Sequence, residues 1–110
     1  MMKLQLKVIH RLTTIAMLNG IKGIDLQSLN KILKVVERLE LTKEEIEAID
    51  LKQDGDKLVW KSSDEEPKEI ELSDDMADKL KEILKKKSDE KDFCANDKPL
   101  MEVYEQLEKV

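Results

Sequence analysis

The feature that most limits how this chain can fold is a change in the spacing of its apolar residues. In residues 3–18 and 26–39, apolar side chains recur every three or four positions, which is typical of amphipathic helices. In residues 57–61 and 69–72, apolar residues alternate with charged ones, which is typical of short strands. Helical spacing returns after residue 73. The sequence therefore predicts an α+β fold in which helices flank a short β segment.

Three helices are predicted before this change. The first covers residues 3–18 and stops at Asn19-Gly20, because glycine accepts the left-handed conformation that often ends a helix. The second begins after Asp25, an N-cap residue type, and ends near residue 39. Its predicted buried stripe consists of Leu26, Leu29, Leu33 and Val36, widened by Ile32 and Val35. A short third helix follows Thr42, which has capping-box spacing to Glu45.

The β segment is predicted as a hairpin or small antiparallel sheet. Asp54-Gly55 is a hairpin turn signal between Leu51, near which a further strand is possible, and residues 57–61. After a polar loop at residues 62–68, the second alternating run follows. The side chains expected to share one face of the sheet are Leu58, Trp60, Ile70 and Leu72.

Two more helices complete the predicted order ααα-ββ-αα. Ser73 is the N-cap candidate of the fourth helix, which buries Met76, Leu80, Ile83 and Leu84. Pro99 suits the first turn of the fifth, whose apolar side is Leu100, Val103, Tyr104 and Leu107. Only 3% of the residues are aromatic, so the core must be aliphatic. We expect residues 1–110 to form one compact domain with about five helices.

Charge is distributed unevenly along the chain. Residues 1–39 contain seven basic and two acidic side chains, whereas residues 40–75 contain five basic and fourteen acidic ones. The remaining residues are nearly balanced, and the net charge is −5. Such an asymmetry either brings copies together or attracts a basic partner, although charged helix faces also serve solubility alone.

The sequence indicates a cytoplasmic protein. Cys94 is the only cysteine, so no disulfide can form within the chain, and a reducing compartment is expected. No secretory signal is recognised near the first residues, because Lys7, His10 and Arg11 interrupt the apolar run. The uncharged run of residues 12–21 is about half as long as a membrane span requires.

No catalytic, cofactor or metal site is predicted. His10 is the only histidine, and no partner for it is recognisable, while Cys94 lacks an identified activating base. Residues 50–61 partly resemble a calcium-binding EF-hand loop, but Lys52 and Lys61 occupy positions that require oxygen ligands. The three glycines fit no nucleotide-binding loop. We therefore expect a protein that is not an enzyme and has no cofactor.

Nucleic-acid binding is the first alternative function. Three helices followed by a hairpin is the element order of a winged helix, and Lys3, Lys7 and Arg11 would form a basic ridge on the first helix. The third helix, however, would repel phosphates, since it contains Glu44, Glu45 and Glu47. A second alternative is that residues 40–75 act as an acidic decoy for a basic protein surface.

The order of several short motifs resembles a class of short proteins encoded by phages and prophages. These motifs lie at residues 20–26, 41–46 (Leu-Thr-Lys-Glu-Glu-Ile), 54–55 (Asp-Gly), 60–61 (Trp-Lys) and 68–73. The resemblance spans residues 20–108. It implies a role in virion assembly, host takeover or regulation, and it assigns no functional residue.

Taken together, these features predict a non-enzymatic protein-interaction, regulatory or assembly protein. The expected partner is a protein, either a second copy or a host or phage protein; nucleic acid is less expected, and a membrane is not. Met17, Ile21 and Tyr104 are the candidate apolar contacts at the ends of the helical stripes, although each also suits the edge of a core.

Overall fold

The computed structural model describes residues 2–55, 57–60 and 67–108. Its elements are β1 (Met2–Leu6), α1 (Val8–Asn19), α2 (Leu26–Leu39), α3 (Lys43–Ala48), β2 (Lys52–Asp54), β3 (Lys57–Val59), β4 (Lys68–Leu72), α4 (Asp74–Asp89) and α5 (Lys98–Glu108). A 3-10 turn, Ala95–Asp97, leads into α5. The predicted α+β class with five helices is confirmed. Residues 61–66, most of the predicted polar loop together with Lys61, lie outside the described residues, as does Asp56.

The first element is a strand, so the prediction of one helix over residues 3–18 is wrong at its start. In β1 the side chains of Met2, Leu4 and Leu6 are buried, and those of Lys3 and Gln5 are exposed. A spacing of four residues, as between Leu4 and the buried Val8, fits one face of a strand as well as one face of a helix. The distant strand β4 settles the conformation, because it pairs with β1 along its whole length.

The strands form two separate two-stranded antiparallel sheets. The predicted hairpin turn is confirmed, since β2 pairs with β3 and Gly55 has a φ of 63°. The prediction that residues 58 and 60 share a sheet with Ile70 and Leu72 is wrong, because β4 pairs with β1. The reason is that β1 offers an apolar face of matching length, with Leu4 opposite Ile70 and Met2 opposite Leu72.

The core lies between the β1–β4 sheet and the helices. One face of the sheet is apolar and is covered by α2 and α4 beside β4 and by α1 and α5 beside β1. The other face is exposed and polar, and there Lys3 lies opposite Glu71 and Gln5 opposite Glu69. This single polar face explains the alternation along β1 and over residues 69–72 of β4, whereas Lys68, opposite the buried Leu6, is exposed.

A side chain of α5 occupies the outer edge of β1. The backbone N–H of Gln5 donates to Oε1 of Gln106 at 2.7 Å, and Nε2 of Gln106 donates to the carbonyl oxygen of Gln5 at 2.8 Å. The amide thus makes the two hydrogen bonds that a neighbouring strand would make at this position. Open edge strands invite pairing with other chains, and this amide occupies the outer edge of β1 at Gln5.

The N-termini of α2, α3 and α4 follow the predicted capping residues. Helix α1 ends at Asn19, as predicted, but Gly20 has a φ of −91° and not the predicted left-handed conformation. The side chain of Asp25 accepts a hydrogen bond from the Ser28 backbone, and that of Ser73 accepts one from the Met76 backbone. In α3 the predicted capping box is present in both directions, at 3.1 Å and 3.0 Å. The predicted apolar sides of α4 and α5 are confirmed; their fully buried members are Leu80, Leu84, Leu100, Val103 and Leu107.

Candidate interaction surface

Helix α2 has two apolar faces, and only one of them belongs to the core. Its buried residues are Ile32, Val35, Val36 and Leu39. Three leucines of the stripe predicted to be buried are exposed instead: Leu26, Leu29 and Leu33. We call these three residues the α2 stripe. Leu26 is 83% exposed and Leu33 is 50% exposed, so the prediction that they form the core face is wrong.

Helical geometry explains why the prediction chose the wrong face. At about 100° per residue, the apolar residues of α2 span an arc of about 180°, from the direction of Val35 to that of Leu26. A core-facing helix needs an arc of little more than about 100°. Within this wide arc the α2 stripe occupies about 60° at one margin, and the core takes the rest. The unusual width was the sequence signal of a second apolar face.

The α2 stripe differs from the other exposed apolar side chains of the described residues. Ile24 lies two residues before the stripe, and the others occur singly on separate segments: Ile9, Ile46, Val59, Phe93 and Met101. Single exposed apolar residues are common on protein surfaces and require no special explanation. Three leucines on two successive turns of one helix form a continuous patch, and such patches mark sites of interaction.

A groove opens between α1 with the segment that follows it and α4, and Ile32 is the one residue of α2 that lines it. Its volume is about 690 Å³, and its floor contains Ala16, Met17, Ile21, Ile32, Ile83 and Leu100. Eight of the seventeen lining residues are charged, and four of them form two ion pairs. Nζ of Lys79 lies 3.7 Å from the Glu82 carboxylate and donates to Ser28, while Nζ of Lys87 lies 3.0 Å from the Asp92 carboxylate. The groove thus has a mixed lining of apolar and charged side chains.

Arg11 lies inside the protein, where it joins three helices. Its side chain is 2% exposed. Nε donates to the carbonyl oxygen of Leu39 at 2.9 Å, and Nη2 donates to that of Glu40 at 2.6 Å, at the C-terminal end of α2. Nη1 donates to Oε2 of Glu45 at 2.5 Å, and Nη2 donates to Oε1 at 3.2 Å. Arg11 therefore caps α2 and anchors α3 to α1.

Glu45 is the anionic partner of this buried cation. Besides Arg11, its Oε1 accepts from the Thr42 backbone at 3.0 Å and from Nζ of Lys68 at 3.1 Å. Hydrogen bonds from the Arg11 guanidinium, against the opposing effect of burial, lower the pKa of Glu45 from 4.5 to about 2. The group is a structural ion pair, because its donors and acceptors are used within the fold.

These positions correct the predicted basic ridge. Lys3 belongs to β1 and Lys7 precedes α1, so neither lies on the first helix, and Arg11 is buried. The three side chains therefore do not form one exposed helical surface. Of the three predicted acidic residues of α3, Glu44 and Glu47 are exposed and Glu45 is paired.

The three predicted apolar contacts lie at the margin of the core. Met17, Ile21 and Tyr104 are all partly buried and pack against the core cluster. Met17 and Ile21 also line the groove. A hydrogen bond to Glu108 raises the pKa of the Tyr104 phenol. The structure thus brings two of these three residues together and places Tyr104 elsewhere, on α5.

His10 and Cys94 have local partners. The backbone N–H of Lys7 donates to Nδ1 of His10 at 3.0 Å, so the neutral ring has its proton on Nε2, which lies 3.6 Å from the Glu102 carboxylate. The ring thereby caps the N-terminus of α1. Cys94 is exposed, and its Sγ lies 3.5 Å from Oδ2 of Asp97. His10 thus contacts the Lys7 backbone and the Glu102 carboxylate, and Cys94 contacts the Asp97 carboxylate.

The described residues lack two other kinds of functional feature. Over residues 2–55, 57–60 and 67–108, no group of three or more His, Cys, Asp or Glu side chains is arranged to hold a metal ion. In the same part of the chain, no helix combines the length and apolar character that crossing a membrane requires.

Comparison with known proteins identifies no relative of this chain. No protein-family model, no curated protein and no solved structure matches this chain. The resemblance to short phage and prophage proteins therefore stays a prediction, and the α2 stripe is the surface on which a functional proposal can be based.

Proposed function

We propose that this chain is a non-enzymatic protein that acts by binding another protein through the α2 stripe, in a regulatory or assembly role. The observation that supports this proposal is the exposure of three leucines on successive turns of α2, whereas α1, α3 and α5 each expose one large apolar side chain (Ile9, Ile46 and Met101). Burying a fully exposed leucine is worth about 1.5–3 kcal/mol, and a bound partner would recover the share of this that corresponds to the exposed part of each leucine, which is 83% for Leu26, 39% for Leu29 and 50% for Leu33.

The buried position of Arg11 favours protein binding over nucleic-acid binding. A nucleic-acid surface on the N-terminal segment would need its basic side chains exposed together. Arg11 instead uses its guanidinium on α2 carbonyls and on Glu45. The exposed thiol of Cys94, the only cysteine of the sequence, supports a reducing compartment such as the cytoplasm.

Site-specific crosslinking tests the proposed function. A photoreactive amino acid is placed at position 33 in one variant and at position 101 in another, since Leu33 and Met101 are almost equally exposed apolar residues on different helices. After irradiation in cells of the source organism, crosslinked proteins are identified by mass spectrometry. The partner is then purified, and its affinity is measured with the unmodified chain and with Leu29→Ser/Leu33→Ser.

We expect one partner to be captured from position 33 and not from position 101. We also expect its Kd to rise at least about tenfold with the double serine variant, since two buried leucines contribute more than the 1.4 kcal/mol that a tenfold change requires. The proposal is refuted if the purified partner binds the double variant as tightly as the unmodified chain.

A further inference from the structure

The outer edge of strand β4 has free backbone groups. In an antiparallel pair, the N–H and C=O groups of successive residues point alternately toward the partner strand and away from it. Gln5 directs both groups outward to Gln106, so Glu69, which lies opposite Gln5, directs its own outward on the far side of β4. The same holds for Glu71, two residues further along. Both residues are exposed, and their backbone groups form no hydrogen bond with another described residue.

We infer that this edge binds an extended basic segment of another protein, which adds a third, antiparallel strand to the sheet beside β4. In strand addition of this kind, backbone hydrogen bonds supply affinity and alternate side chains supply specificity. The two open positions offer two N–H and two C=O groups to the segment. On β1, by contrast, Gln106 already occupies the edge at Gln5. The β4 edge shares no residue with the α2 stripe, so the inference goes beyond the proposed function and does not depend on it.

The side chains of Glu69 and Glu71 select a basic segment. Both are exposed on the polar face of the sheet, and neither forms an ion pair with another described residue. Residues 69–75 contain four acidic side chains and no basic one. Within the fold, Lys3 already lies opposite Glu71 on the β1 side. Since opposite charges on facing strands stabilise a sheet, we expect Lys or Arg at the two segment positions that face Glu69 and Glu71.

The same carboxylates disfavour a second copy bound through β4. Two antiparallel β4 strands that pair through their open positions bring glutamates of the two copies opposite each other, and like charges in this position destabilise a sheet. Charged side chains on an edge strand thus prevent pairing between copies while leaving the edge open to a segment of opposite charge. The intervening segment residues lie beside Ile70 and Leu72 on the other face, where β-branched residues are favoured. The expected segment therefore alternates basic and β-branched residues.

Peptide titrations of the isotope-labelled chain, followed by NMR, test this inference. The first peptide, of about nine residues, alternates Lys with Thr, and the second has Glu in place of Lys. Two further versions of the first peptide carry backbone N-methyl groups. In one they are on the Lys residues, whose N–H groups would face β4, and in the other on the Thr residues, whose N–H groups would face away. The chain is used unmodified, as Glu69→Gln/Glu71→Gln, and as the matched control Glu44→Gln/Glu47→Gln, which removes two exposed charges from α3. Circular dichroism checks the fold of each variant.

The inference predicts that the Lys peptide binds at least about tenfold more tightly than the Glu peptide. The backbone amides of Glu69 and Glu71 should shift most and exchange more slowly in the complex. N-methylation of the Lys residues should abolish binding, whereas N-methylation of the Thr residues should leave it unchanged. Glu69→Gln/Glu71→Gln should raise the Kd at least about threefold, and the control pair should not change it.

Four results would overturn the inference. The Lys peptide does not bind, or it binds no more tightly than the Glu peptide. The two N-methylated peptides bind equally, which means charge attraction without strand pairing. The largest shifts lie outside β4, or the two glutamine pairs have the same effect on the Kd. None of these results bears on the α2 stripe, whose crosslinking experiment tests the proposed function separately.

Discussion

Glu45→Gln should make the protein less stable at neutral pH and make no difference at strongly acidic pH. Glu45 accepts hydrogen bonds from Arg11, Lys68 and the Thr42 backbone, and its pKa is lowered from 4.5 to about 2 in the folded protein. A carboxyl group with a lowered folded-state pKa contributes stability above its unfolded pKa. That contribution is lost as the pH falls from about 4.5 to about 2.

The size of this contribution follows from the pKa values. Each pKa unit corresponds to about 1.4 kcal/mol, so lowering the pKa from 4.5 to about 2 corresponds to about 3 kcal/mol. The Glu45 side chain is about a quarter exposed, and solvent screening reduces this figure. We therefore expect Glu45→Gln to lower the free energy of unfolding by about 2 kcal/mol at pH 7.

Urea denaturation from about pH 7 to about pH 2 measures this difference, and urea is chosen because it adds no ionic strength. Glu44→Gln is the matched control, because Glu44 is an exposed neighbour on α3 that forms no ion pair with the described residues. The reasoning is refuted if the difference between the unmodified chain and Glu45→Gln stays constant across this pH range, or if Glu44→Gln has the same effect.

Three further substitutions test other parts of the structure. Arg11→Ala should lower the free energy of unfolding by about 3–5 kcal/mol, since it leaves Glu45 partly buried and two α2 carbonyls unsatisfied; urea denaturation at pH 7 should show a cost well above that of Glu45→Gln. Gln106→Ala should cost about 1 kcal/mol and, by hydrogen exchange, speed exchange of the Gln5 amide; unchanged exchange would contradict the edge closure. Thr14→Val should be neutral or stabilising by up to about 1 kcal/mol, because the buried Thr14 hydroxyl has no hydrogen-bond partner among the described residues; a thermal melt with a clearly lower Tm would contradict this.

Much of the helical structure could be predicted because its signals are local. The caps at Asp25, Thr42 and Ser73 bind backbone groups within three residues, so the sequence pattern contains both partners of each interaction. The same holds for the turn at Gly55, whose positive φ suits glycine. These features depend little on what the rest of the chain does.

The conformation of β1 could not be predicted because its partner is distant. Leu4 and Val8 fit a helix face, and only pairing with β4, where Leu4 lies opposite Ile70, makes the strand the better arrangement. The burial of Arg11 could not be predicted for a related reason. Arginine is usually exposed, and its burial here depends on carbonyls of Leu39 and Glu40 that only the tertiary fold brings within reach.

The exposed face of α2 was missed for a different physical reason. Leu29 and Leu33 have the same spacing relations as the buried Ile32 and Val36, so hydrophobic periodicity alone cannot say which side of a wide apolar arc meets the core. Which side of α2 is buried depends on the packing of α1, α4 and β4 against it.

The pairing of β1 with β4 also has a consequence for how the protein is made. Ribosomes extend a chain at about 5–20 residues per second, so β1 remains without its partner for several seconds while the intervening residues are synthesised. Gln106, which closes the outer edge of β1, is added later still. During this interval an apolar strand with two open edges is exposed to other nascent chains, which makes the time before completion the period of greatest risk of aggregation.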